Sequence, residues 1–150
     1  MSETVEAPRI NWPAAAPDGM KAMLALEDAV AAKVERKLLH LVKLRASQIN
    51  GCAYCIAMHT KEALADGEQV LRLVLLDAWR ESHLYDARER AALAWTEAVT
   101  RIAETQAPRD VYDALAAEFS EEEIAYLTLA IATINAWNRI AIAGRSRHSD

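Results

Sequence analysis

A chain of 150 residues, 53% hydrophobic and 26% charged with only four glycines and four prolines, has the size and make-up of one compact domain. A net charge of −5, with lysines and arginines scattered among acids, excludes the basic stripe of a nucleic-acid-binding protein. Thirty-one alanines and the want of sustained alternating apolar runs point to an all-α single-domain helical bundle of about six to seven helices.

Residues 1–17 read as an extended N-terminal lead-in, broken by Pro8, Pro13 and Pro17 and anchored through Ile10 and Trp12. It lacks the basic start and apolar stretch of a signal peptide, so a cytoplasmic location is expected. The helical domain is expected over 18–144. Its first helix spans 18–33 and its second 34–47, where Leu38, Leu41, Val42 and Arg45 keep helical spacing. Asn50-Gly51 signals a turn, after which a third helix runs from Cys52 to Asp66 and stops at Gly67. A fourth covers 68–80. Asp86 and Glu89 form a capping box for a fifth, reaching about Glu104, and Pro108 opens a sixth to Phe119. The box Ser120/Glu123 launches the last helix, to about Ala143, ahead of a polar tail over 145–150. Asn135, Asn138 and Arg139 interrupt this last apolar stretch, which therefore reads as a buried helix and not a membrane span. Its breadth calls for cover that a second subunit would supply, so a homo-oligomer is expected.

The chain has two cysteines, three residues apart. In a reducing compartment such a pair is redox-active or metal-binding more often than structural. On one helix Cys52, Cys55 and His59 fall within roughly 60° of each other, and Cys55 and His59 are an i, i+4 pair able to exchange a proton. The helix start favours a thiolate, and a second thiol can then close a disulfide. Thioredoxin-like use would need strands, and c-type haem attachment would need histidine where Ile56 stands. Zinc held by Cys52, Cys55, His59 and His40 is the rival arrangement. A non-catalytic redox sensor is another alternative.

The run 41–59, with Ser47-Gln48-Ile49-Asn50-Gly51-Cys52 at its centre, resembles the alkylhydroperoxidase D-like proteins of the carboxymuconolactone decarboxylase superfamily. The resemblance continues through 78–82, 89–95 and 134–140 and covers nearly the whole chain from about residue 9. It implies an all-α fold, homo-oligomers and peroxide reduction by a dithiol cycle, with an external thiol reductant and no organic cofactor or metal. By the same resemblance Cys55 attacks the peroxide, Cys52 resolves the sulfenic acid and His59 belongs to the proton relay. The helix dipole by itself leans instead towards Cys52. His40 stands where the family relay has a glutamate, twelve residues before the first cysteine, and is expected to take over its proton traffic. Lactone decarboxylation ranks lower, since members named for it generally lack the cysteine pair. Tyr54 is expected to pack or to line the entrance, Arg45 to form a salt bridge, and Trp137, Asn138 and Arg139 to serve packing and a subunit interface. Glu62 is near in sequence, helical spacing points Glu35 away, and His83 and His148 read as surface residues.

Overall fold

The computed structural model describes residues 6–150, among which there are nine α-helices, one 3₁₀ helix and no strand. In chain order these are α1 (Trp12–Ala15), α2 (Pro17–Ala31), α3 (Arg36–Asn50), α4 (Ala53–Ala65), α5 (Val70–Val74) and the 3₁₀ turn Leu75–Ala78. Then follow α6 (Ala87–Thr100), α7 (Ile102–Thr105), α8 (Arg109–Ala116) and α9 (Glu121–Ala143).

The all-helical fold is as expected, and the count exceeds six to seven for three local reasons. The lead-in contains a one-turn helix, because Asn11 caps α1 through its side chain and Pro13 fits the first turn. The expected helix over 68–80 tightens halfway into 3₁₀ geometry. Leu73, Leu76 and Trp79 recur every three residues, the period of a 3₁₀ turn, and all enter one core cluster with Tyr85. The helix opening at Ala87 ends at Thr100. Arg101 leaves helical geometry, and the single turn α7 follows before Gln106 adopts a left-handed conformation.

Helix α3 is the hub, packing against α4, α6 and α9. Every residue from Leu38 to Ser47 is buried. Leu38 and Val42 join Trp95, Leu115, Phe119, Leu127 and Ile131 in one cluster. Leu41 and Leu44 join Leu76, Trp79 and Leu93 in a second, and Leu39 meets Val30 and Ala130 in a third. A helix apolar on so many sides belongs inside a bundle. The apolar helix α9 is covered within the chain by α2, α3, α4 and α6. At its end Gly144 lies so close against the Trp12 indole that a methyl group there would collide with the ring. The Arg9 N–H donates to the Gly144 carbonyl at 2.8 Å, which fixes the lead-in over the end of α9. Among the described residues no helix is long and apolar enough to cross a membrane.

Candidate functional site

The turn between α3 and α4 sets the cysteines. Gly51 has φ +70°, a left-handed conformation that costs a residue with a Cβ, and this ends α3 with Cys52 N–H bonded to Ser47 O at 3.0 Å. Cys52 is the N-cap of α4, its Sγ accepting the Cys55 N–H at 3.2 Å. The two cysteines are joined by a disulfide, with Cα atoms 5.3 Å apart, and pack against Ala141 and Ile142 of α9. One turn further along α4 lies His59, also buried, with Nδ1 3.0 Å from Glu62 Oε2. With the Nδ1 proton given to Glu62, Nε2 is left as the basic nitrogen. Burial, the main cause, holds His59 below the usual histidine pKa; the Lys43 ammonium and His40 push the same way, and Glu62 opposes them. The imidazole is thus kept neutral and able to accept a proton.

The structure brings Cys52, Cys55 and His59 together and turns His40 aside. His40 Nε2 faces Asp66, the residue closing α4, where Arg36 also pairs. These two contacts, Arg36 first, hold the Asp66 carboxyl below the usual carboxylate range. Because each histidine addresses a carboxylate and the sulfurs address each other, the four possible zinc ligands are not arranged around a common point. No group of three or more His, Cys, Asp or Glu side chains suited to a metal ion occurs among the described residues.

Cys55 and His59 line a cavity of about 610 Å³. Its walls include Ile10, Trp12, Leu24, Met58, Trp137 and Ile140, with Tyr54 beside Cys55. Cys52 faces a separate hollow of about 180 Å³ with Ala141, Ile142 and Arg145. The larger cavity is the size of a small-molecule site. It also contains Glu27, Lys43 and Glu62. Lys43 pairs with Glu27, whose second oxygen accepts the Trp137 Nε1–H at 3.2 Å. Burial keeps the Lys43 ammonium below the usual lysine pKa, with Glu62 opposing.

Sequence reasoning missed Glu27 and Lys43. Lys43 carried a readable signal, being three residues after His40 and hence on a similar face of α3. Glu27 carried none, because its partner lies on another helix. Trp137, expected to serve packing and a subunit interface, also walls the cavity. Arg45 is tied up as expected, in ion pairs with Asp77 and Glu97. Asn138 is fully buried, accepting from Asn50 and donating to Ser47.

The all-helical bundle, with Cys52 capping α4 and His59 one turn beyond Cys55, is that of the alkylhydroperoxidase D-like proteins. The chain belongs to the carboxymuconolactone decarboxylase family, whose model matches residues 17–98. It is 39% identical over 140 residues to the uncharacterized protein YdfG of Bacillus subtilis, covering 93% of this chain and 95% of that one. Among solved structures it superposes with a TM-score of 0.93 on ATU0492 of Agrobacterium tumefaciens, a protein of unknown function provisionally assigned to antioxidant defence as AhpD. That pair shares 50% identity over 96% of this chain and 99% of the other. The debrominase Bmp8, crystallised with 2,3,4-tribromopyrrole, shares the fold at a TM-score of 0.80 and 24% identity, over 89% of this chain and 72% of its own.

Proposed function

We propose that this protein is a thiol-dependent peroxidase acting on organic hydroperoxides through a Cys52/Cys55 dithiol–disulfide cycle. The observation that carries the reading is that Cys55, and not Cys52, shares the large apolar-walled cavity with His59. In the reduced protein His59 Nε2 takes the Cys55 thiol proton, while Glu62 holds the imidazole in the required tautomer. The helix start favours the resulting thiolate. The thiolate attacks one peroxide oxygen and becomes a sulfenic acid, and an alcohol leaves. Cys52 then attacks the sulfenic sulfur, releasing water and forming the disulfide. His40 stands outside this pair, against Asp66. An external dithiol of the cytoplasm restores both thiols, and no organic cofactor takes part.

The working form is a homo-oligomer. Helix α5 supports this, because Val70, Leu71 and Val74 are 63%, 57% and 70% exposed on one short element.

Peroxide consumption by the reduced protein with a dithiol reductant tests the reading, beside Cys55→Ser and Cys52→Ser. Turnover is expected to vanish in Cys55→Ser, while Cys52→Ser accumulates a trappable sulfenic acid at Cys55. One stoichiometric oxidation without turnover would make the protein a redox sensor, and about one bound zinc per subunit with no oxidation would make it a metal module.

A further inference from the structure

Cleaving a peroxide with a thiolate involves two proton transfers, and His59 accounts for the first. The thiol loses its proton before attack, and the expelled alkoxide, a strong base, must gain one. Among groups lining the cavity, Lys43 is suited to the second. Its side chain is 11% exposed, it stands on the same cavity wall set as Cys55 and His59, and Glu27 fixes its position. Glu27 is itself held by Trp137, so α2, α3 and α9 together orient the ammonium. Glu27 engages the ammonium, which carries three N–H donors in all. An ion pair serving only to join two helices would not require a place on the wall of the cavity that holds the nucleophile.

We propose that Lys43 is the proton donor to the alkoxide that leaves when Cys55 cleaves an organic hydroperoxide. The inference rests on the peroxidase reading. In the step, the S–O bond forms as the O–O bond breaks. Sulfur is oxidised by two electrons and the peroxide is reduced by two. The Lys43 ammonium passes one proton to the alkoxide, giving the alcohol, and later regains one from the His59 imidazolium or from solvent. Burial, which already holds the ammonium below the usual lysine value, eases the transfer. Glu27 holds the Lys43 side chain in place between cycles.

The test uses leaving groups of unequal need. In the Cys52→Ser background, sulfenic acid formation is followed in a single turnover with tert-butyl hydroperoxide and with peracetic acid. The first expels a strongly basic alkoxide, and the second expels acetate, which requires no proton. Lys43→Met is expected to slow the alkyl hydroperoxide about 100-fold, within the range of general acid catalysis, and to leave the peracid nearly unchanged. Lys43→Arg keeps the positive charge beside Glu27 but does not release a proton, and it should show the same selective loss. An unchanged peracid rate also reports that each variant is folded. Equal slowing of both oxidants, or no slowing of either, would overturn the role of Lys43 and leave the peroxidase reading intact. A Cys52→Ser protein inert to both oxidants would remove the peroxidase reading itself, and the donor with it.

Discussion

His59 shows how one buried side chain ties stability to chemistry. Burial disfavours its charged form in the folded state, so the unfolded chain binds that proton more readily. Stability should therefore fall as pH drops from about 6.5, the ordinary histidine value, towards the lower folded value, and then level off. Urea unfolding between pH 7.5 and 5 checks this, and His59→Asn should flatten the dependence. The acidic limit of Cys55 oxidation should likewise lie below the ordinary histidine range. Cys55 and His59 were legible as neighbours in the sequence because one helix carries both and its period fixes their face, while Cys52 sits at that helix's N-cap. Pairings between helices were not. Neither the turn of His40 towards Asp66 nor the approach of Glu27 to Lys43, sixteen residues on, leaves a mark in local spacing.

At the level of elements, α3 is unusual in being buried along ten consecutive residues while carrying His40, Lys43, Arg45 and Ser47. Each of these polar side chains has a partner on a different element. Asp66 closes α4, Glu27 lies on α2, Glu97 on α6 and Asn138 on α9. The packing is thus directional, since a rotation of α3 would orphan several buried polar groups at once. The turn that follows α3 is similarly constrained. Gly51→Ala should destabilise the protein by about 1–2 kcal/mol, the cost of the left-handed conformation for a residue with a Cβ, measured by thermal or denaturant unfolding. The two capping boxes, Asp86/Glu89 and Ser120/Glu123, form where the sequence places them because their signal is confined to four residues. The break between α5 and the 3₁₀ turn was hidden. It arises from three side chains seeking the same cluster, which is a property of the assembled core.

At the scale of the whole molecule, the apolar surface open to a partner is spread over several elements. The apolar breadth of α9 suggested a face awaiting another subunit; α2, α3, α4 and α6 pack against it within the chain, and Leu129 on it stays exposed. Three of the exposed apolar side chains, Val70, Leu71 and Val74, lie together on α5. Sedimentation velocity should find the wild-type protein above monomer mass, and Leu71→Glu with Val74→Glu should return it to the monomer without loss of helical signal. The cavity has its own long-range feature, since its walls draw on Trp12 near the start of the chain and on Arg147 near its close. Glu6 pairs with both Arg9 and Arg145, and Arg9 reaches Gly144, so these distant segments are joined beside the site. Synthesis runs from one to the other. The cysteines emerge from the ribosome about ninety residues ahead of Arg145, which at translation speeds of about 5–20 residues per second is a delay of several seconds. During that interval the nascent thiols have no complete cavity around them. The wall over Cys55 and His59 closes only once both segments have been made and have met.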